Sequence, residues 1–233
     1  MTKEQLSKLI PSKQRDDINH LQELLDNYIS SDELDAAIKQ LKLGKAVGED
    51  LVANEFLKAS KATTRNTICH LFNESLRIGI YPWNNSLITP IHKKGDIYDP
   101  NNYRAIAVAS NLGKLFALIL LERLITYRAS ANPDTANQRG FVKNAQTNDH
   151  ILTLSTCINK YINPEYANKK RVFTCFVDYT KAFDTVCREA LLYKVWQSGV
   201  RGRFFKCLEY MYSNSTAKVK LLNKLSEKLT LWH

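Results

Sequence analysis

The chain has 233 residues and carries 33 Lys and Arg against 23 Asp and Glu, which gives a formal net charge of +10. With 44% hydrophobic residues but only 8 Gly and 6 Pro, the composition excludes collagen-like and low-complexity chains and predicts a folded core. The longest apolar run, residues 115–121, is far shorter than the roughly 20 residues of a membrane span. The N-terminus lacks the apolar segment of a signal peptide, so we expect an intracellular protein of the nucleus or cytoplasm, neither secreted nor membrane-bound.

The positive charge is concentrated in one part of the chain. Residues 1–50 hold 7 basic and 10 acidic side chains, whereas residues 51–233 hold 26 basic and 13 acidic ones. A basic body of this kind suits a polyanion such as nucleic acid. A solvated basic surface with no partner explains the charge equally well, so charge alone leaves both interpretations open.

The five cysteines form no C-x-x-C pair, and no His lies at zinc-finger spacing from any of them. They stand at positions 69, 157, 175, 187 and 207. This pattern predicts reduced thiols rather than a zinc site or a disulfide framework. Cys175 lies within an apolar run, and we expect it to fill the core.

Helical periodicity dominates the first eighty residues. Ser30 and Glu33 stand at capping-box spacing and predict a helix that ends at Gly44. Its predicted inward face consists of Leu34, Ile38 and Leu41. Two further helices are predicted over 54–60 and 64–77, the second with an inward face of Ile68, Leu71, Phe72 and Leu76.

Strand signals appear next. Residues 87–96 predict a strand that leads into a turn, and residues 104–109 predict a second strand. Together they predict a hairpin that carries basic residues on both arms. Helices are then predicted over 112–128 and 148–161. The run 171–177 (RVFTCFV) predicts a central strand buried on both faces, with Asp178 at its end.

The last third of the chain completes the pattern. A helix is predicted from an N-cap at Asp184 or Thr185 to about residue 197, and another over 204–212. A final β-hairpin is predicted over 217–232. Because helices and strands occur in blocks without regular βαβ alternation, the fold class is predicted to be α+β.

Asp178 is the most informative candidate for chemistry. A buried lone carboxylate is costly unless it is paired or binds a cation, whereas a strand end can hold it in place and expose it. Mg²⁺ prefers carboxylates, water and phosphates as ligands. From the residues alone, the first position of a turn explains Asp178 equally well, and one carboxylate does not form a two-metal site.

Residues 176–186 (FVDYTKAFDTV) resemble the first palm motif of reverse transcriptases from LINE-type (non-LTR) retrotransposons. Six further blocks resemble the family in the same order. They are residues 44–57, Trp83 with 90–106, 114–124, 137–141, 147–151 and 199–212. The resemblance covers roughly residues 40–231, and seven blocks in order argue against a chance match.

The resemblance implies the fingers and the first half of the palm of a right-hand polymerase. We expect a helical lead-in over 1–45, a fingers-like region over 46–165, and a partial palm with the first catalytic motif over 166–233. We also expect the chain to stop before the second acidic palm motif and the thumb, and to carry no endonuclease domain.

The activity implied by the resemblance is RNA-directed DNA polymerisation, in which dNTPs are added to a DNA primer on an RNA template. By resemblance, Asp178 would hold two Mg²⁺ ions, or Mn²⁺ in their place, with the backbone carbonyl of Tyr179 as a further ligand. Phe183 falls at the sugar-gate position, where a bulky ring excludes a ribose 2′-hydroxyl. A core position at the start of a helix is compatible with Phe183 as well.

The resemblance also implies nucleotide and nucleic-acid contacts. Lys93, Lys94 and Arg104 would face the triphosphate, although from the residues alone a solvated hairpin surface is the simpler explanation. The residues expected near template or primer are Gln138, Arg139, Gly140, Phe141 and Lys143. Of these, Gly140 would permit close backbone approach, and Phe141 could equally belong to the core.

The chain departs from the family at several positions. Glu49 and Leu51 stand where Pro and Gly usually flank Asp50, and Ala105 stands where Pro usually follows the Arg. Because most of the metal site is missing, we expect these 233 residues to have no polymerase activity alone. Two alternatives are a non-catalytic nucleic-acid-binding remnant and an intron-maturase-like reverse transcriptase, although the KKGD and AFD blocks suit LINE elements better.

Overall fold

The computed structural model describes residues 21–131, 138–142, 144–162, 171–180, 182–221 and 224–231. The chain divides into two compact units, one of residues 1–132 and 187–233, the other of residues 133–186. Both helices and a small mixed sheet are present, which confirms the predicted α+β class. The division into fingers and partial palm stays a prediction, and residues 1–20 of the expected lead-in lie outside the described residues.

The helices and strands are numbered here in chain order. The helices are α1 (Ser31–Gln40), α2 (Asn54–Ala59), α3 (Ala62–Ile78), α4 (Asn111–Ala131), α5 (Thr147–Ile162), α6 (Arg188–Gln197) and α7 (Gly202–Ser213). The strands are β1 (Asn85–His92), β2 (Tyr103–Ala109), β3 (Thr216–Leu221), β4 (Lys224–Leu225) and β5 (Leu229–Thr230). Within the described residues, no helix combines the length and the apolar character needed to cross a bilayer.

The start of α1 is set by the predicted capping box. The Glu33 amide donates to Ser30 Oγ at 3.2 Å, and the Ser30 amide donates to Glu33 Oε2 at 2.9 Å. The predicted end at Gly44 is wrong, because Leu41 already has an extended backbone and closes the helix. The inward placement of Leu71 on α3 is also wrong, since it lies at the margin of the apolar stripe and is 42% exposed.

The sheet has the strand order β2-β1-β3-β4, and β5 also pairs with β3. The hairpin of β1 and β2 is confirmed, as is the final hairpin, in which β3 pairs antiparallel with β4 and β5. The strand β3 also runs parallel to β1, with Asn85 opposite Thr216 and Ile88 opposite Val219. This pairing, which the sequence analysis did not predict, joins the two hairpins in one sheet.

The core of the first unit is built around an aromatic cluster. The Phe72 ring lies 5.4 Å from Trp83 and 5.0 Å from Phe116, and Tyr81 contacts both of those rings. The cluster joins α3, α4 and the segment that leads into β1. A Cβ atom on Gly113 would lie 2.4 Å from the Trp83 Cβ, so close packing requires glycine at this position of α4.

Buried Arg123 on α4 ties the segment before α1 to the core. Its guanidinium forms a two-point ion pair with Glu33, at 2.6 and 2.9 Å. It also donates to the backbone carbonyls of Leu25, Asn27 and Tyr28. One side chain therefore satisfies the Glu33 carboxylate in α1 and three backbone carbonyls of the segment that precedes α1.

In the second unit, the predicted central strand over 171–177 is wrong. Residues 171–179 form no strand, and Phe173 and Phe176 are 89% and 81% exposed. A β-rich apolar run becomes a strand only when a neighbour satisfies its backbone groups, and within the described residues this segment has none. The predicted cap at Asp184 or Thr185 is also wrong, since α6 begins at Arg188 and has Cys187 at its N-cap.

Cys175 is exposed, so its expected place in the core is wrong. Thiol labelling tests this exposure. We expect iodoacetamide to label Cys175 as fast as the exposed Cys157, and to leave Cys207 unlabelled in the folded protein. Burial, assisted by the nearby Asp26 charge, raises the pKa of the Cys207 thiol to about 12. A rise of this size lowers the thiolate population roughly 10³-fold at pH 8. Mass spectrometry of tryptic peptides measures the extent of labelling at each cysteine. Protection of Cys175 equal to that of Cys207 would contradict its exposure and would support the buried strand predicted from the sequence.

Candidate nucleotide and nucleic-acid site

The loop between β1 and β2 is held by its own polar groups. The Lys93 amide donates to the Asn102 carbonyl at 2.8 Å and so extends the pairing of the two strands by one step. Asp96 Oδ1 accepts from the Tyr98 amide at 2.9 Å. The Asn102 side chain donates to the Asp96 carbonyl, and Gly95 has a φ of +90° that favours glycine. These contacts give the loop a defined backbone conformation.

The predicted triphosphate residues come together on this hairpin. Arg104 lies opposite Ile91 in the pairing of β1 and β2, and Lys93 follows Ile91 by two residues. Because the register continues through the Lys93–Asn102 bond, Lys93 and Arg104 are diagonal neighbours on one face. Lys94 is adjacent, and all three cations are exposed. The hairpin thus presents a group of cations that can contact an anion.

The predicted metal ligands lie in the second unit. Asp178 and Tyr179 are exposed in the segment over 171–179, which has no regular secondary structure, so the described residues give Asp178 no strand to hold it. Within the described residues, no group of three or more His, Cys, Asp or Glu side chains is placed to hold a metal ion. Asp178 and one carbonyl are oxygen donors of the kind that Mg²⁺ prefers, but they are an incomplete ligand set.

Two aromatic residues from separate sequence blocks meet in the second unit. The rings of Phe141 and Phe183 lie 6.1 Å apart in an edge-to-face arrangement. Both rings are largely exposed, at 96% and 80%. The core position that the sequence also allowed for each of them is therefore wrong. Gln138 Nε2 donates to the Gly140 carbonyl at 2.9 Å, and Phe141 has a φ of +62°. This turn presents the Phe141 ring to solvent beside Phe183.

Two predicted template or primer residues remain. Arg139 is exposed in the same turn, and Lys143 lies outside the described residues. Sequence reasoning also passed over Lys218 and Lys220 on β3, which the parallel pairing brings onto the sheet that carries Arg104. Their alternation in the sequence marks them as one face of a strand, but nothing local indicates which strand lies beside them.

Comparison with known proteins gives consistent relatives, although no protein-family model matches the chain. The chain is 31% identical, over 170 residues and 72% of its length, to a probable RNA-directed DNA polymerase from transposon BS of Drosophila melanogaster. It is 29% identical, over 71% of its length, to the RNA-directed DNA polymerase from mobile element jockey of the same species. It is 26% identical, over 83% of its length, to a retrovirus-related Pol polyprotein from type-1 retrotransposable element R2 of Popillia japonica.

The matched region is a small part of these relatives. It spans 18% of the transposon BS and jockey proteins and 26% of the R2 protein. The names of these relatives agree with the family that the sequence motifs resemble, and the matches extend over most of this chain. The chain is therefore similar to RNA-directed DNA polymerases of LINE-type (non-LTR) retrotransposons, over a segment that spans about a fifth of the length of the transposon BS and jockey proteins.

Proposed function

We propose that this chain supplies part of the template, primer and nucleotide contacts of an RNA-directed DNA polymerase of a non-LTR retrotransposon. The observation that carries the proposal is the 31% identity, over 72% of the chain, to a protein named as such a polymerase. The basic excess of residues 51–233 supports it, because a nucleic-acid substrate requires that sign of charge. The substrates of the proposed reaction are an RNA template, a DNA primer and dNTPs.

The hairpin between β1 and β2 would bind the triphosphate. Arg104 suits two-point contact with phosphate oxygens, and Lys93 and Lys94 act as compact point charges beside it. The defined loop fixes the backbone that carries these side chains before the nucleotide arrives, so less backbone entropy is lost on binding. This arrangement supports nucleotide binding as the role of the hairpin.

The second unit would contribute the sugar and metal contacts. Phe183 would exclude a ribose 2′-hydroxyl, while Gln138, Arg139, Gly140, Phe141 and Lys143 would lie near template or primer. The Asp178 carboxylate and the Tyr179 carbonyl would contribute to holding Mg²⁺, with Mn²⁺ as a substitute. When bound, such ions neutralise charge on the reacting phosphates. Asp178 needs additional acidic partners to complete this site.

Primer extension tests the catalytic part of the proposal. We expect a polypeptide of these 233 residues, given an RNA template, a DNA primer, Mg²⁺ and dNTPs, to bind the primer–template and incorporate no nucleotide. The reason is that a two-metal site requires acidic ligands beyond Asp178.

The Asp178→Ala variant is the matched control for this experiment. It is expected to bind the primer–template as well as the original chain. Incorporation by the original chain that disappears in Asp178→Ala would contradict the proposed inactivity and would place Asp178 in a working site. Failure of both polypeptides to bind the primer–template would contradict the proposed function itself.

A further inference from the structure

One face of the sheet carries cations from strands that are distant in the sequence. Lys218 lies opposite Leu87 across the parallel pair of β3 and β1, and Arg104 lies opposite Ile91 across the antiparallel pair of β1 and β2. Leu87 and Ile91 are four residues apart on β1, so both point to the same side, as does Lys220 on β3. The basic sheet face, defined as Arg104, Lys218 and Lys220, therefore extends from β2 to β3.

An acidic side chain pairs with one cation of this face. Lys218 Nζ donates to Glu49 Oε1, in an ion pair that is partly exposed at both ends. Within the described residues, Lys220 forms no ion pair of this kind. Glu49 therefore neutralises one of the three cations in this particular chain.

The loop that carries Glu49 is anchored beside the sheet. Asp50 Oδ2 accepts from Ser110 Oγ at 2.5 Å, directly after the end of β2. A Cβ atom on Gly48 would lie 2.7 Å from the Ser110 backbone nitrogen, so the loop backbone is pressed against the chain at this point. Glu49 is thus positioned from both sides by contacts with the residue that follows β2.

We propose that the basic sheet face binds the phosphate backbone of an RNA–DNA duplex and that Glu49 partly masks it by pairing with Lys218. We choose this ligand by charge complementarity. The backbone of a nucleic-acid duplex carries regularly spaced phosphates, which match cations that are spread from β2 to β3. The inference rests on the proposed function and adds Lys218 and Lys220 to the contact surface. Glu49 sets the strength of the contact.

Removal of the Glu49 charge is expected to increase the affinity for the duplex. The Glu49→Gln variant frees Lys218, so we expect it to bind a fluorescein-labelled RNA–DNA duplex about 3- to 10-fold more tightly at 50 mM salt. The slope of log Kd against log salt should become steeper by about one unit. Glu74→Gln is the matched control, because it removes the same charge and frees Arg77 from a surface ion pair on α3.

Removal of a cation from the basic sheet face is expected to decrease the affinity for the duplex. Lys220→Gln is expected to weaken duplex binding several-fold and to reduce the salt slope by about one unit. Lys224→Gln is its control, since Lys224 lies opposite Leu221 and so falls on the other side of the same hairpin. All four substituted side chains are at least partly exposed, and circular dichroism verifies that each variant is folded.

The outcomes separate this inference from the proposed function. Larger effects at Glu49 and Lys220 than at Glu74 and Lys224 support the basic sheet face. Equal effects within each pair would overturn it and reduce the lysines to a general contribution to net charge, while duplex binding itself would still support the proposed function. Absence of duplex binding in every variant would overturn both.

Discussion

Replacement of Arg123 by methionine is expected to destabilise the first unit by about 3 kcal/mol, because it removes a buried guanidinium and leaves the partly buried Glu33 carboxylate and three backbone carbonyls without their donor. The guanidinium is almost fully buried and binds Glu33 in two places. The backbone carbonyls of Leu25, Asn27 and Tyr28 would also lose their donor. Methionine keeps much of the apolar volume, so the loss reports the polar contacts. The urea midpoint, followed by circular dichroism, measures it.

A surface ion pair gives the matched control for Arg123. Arg77 pairs with Glu74 on α3, where both side chains are solvated, so Arg77→Met should leave the urea midpoint nearly unchanged. Equal shifts of the midpoint in Arg123→Met and Arg77→Met would contradict a structural role for the buried pair.

The Arg123 pair also predicts a pH dependence. Burial alone would raise the pKa of Glu33, but the bonds and charge from Arg123, together with the bonds from Ser30, outweigh burial and lower that pKa below its usual value. A carboxylate with a lowered folded-state pKa adds stability above its unfolded-state pKa, and this stability is lost as pH falls through the folded-state pKa. We therefore expect acid to destabilise the original chain more than Arg123→Met in this pH range.

Replacement of Phe72 by alanine is expected to destabilise the first unit by roughly 3–5 kcal/mol, because it removes a fully buried ring and leaves a cavity. The ring contacts Trp83 and Phe116, whose edge-to-face and tilted packing would be lost as well. A loss of this size is a large fraction of the stability of an ordinary domain. Thermal and urea unfolding measure the change.

Phe56 on α2 provides the control for Phe72, since it is the same residue type but is 63% exposed. Phe56→Ala should change the free energy of unfolding little, because its ring is already largely in water. A Phe72→Ala variant as stable as Phe56→Ala would contradict the assignment of the aromatic cluster as the centre of the core.

Features set by neighbouring residues were predictable from the sequence. The Ser30 capping box and the glycine after α3 depend on contacts within a few residues, and the hairpin of β1 and β2 depends on partners no more than 23 residues apart. The parallel pairing of β3 with β1 was not predictable, since its partners are about 130 residues apart and many strands could satisfy the same local pattern. Arg123 was likewise assigned only to a helix, because its partners lie 90 or more residues away.

In the candidate site, too, local features were predictable from the sequence and contacts between distant residues were not. The cations of the hairpin were predicted and lie together, because Lys93 and Arg104 belong to one local element. The contact of Phe141 with Phe183 was missed, because the two residues belong to separate blocks. The strand over 171–177 was predicted from composition and is wrong, since β propensity depends on the neighbours that a run finds in the fold.

The salt dependence of RNA–DNA duplex binding by the 233-residue chain tests the central claim most directly. If the basic body contacts at least four phosphates, log Kd against log salt should have a slope of magnitude about 3 or more, and affinity should fall roughly 100-fold between 50 and 200 mM salt. Fluorescence anisotropy of a labelled duplex measures both quantities. Binding that is absent at 50 mM salt, or that does not change with salt, would contradict the account of this chain as a nucleic-acid-binding segment of a reverse transcriptase.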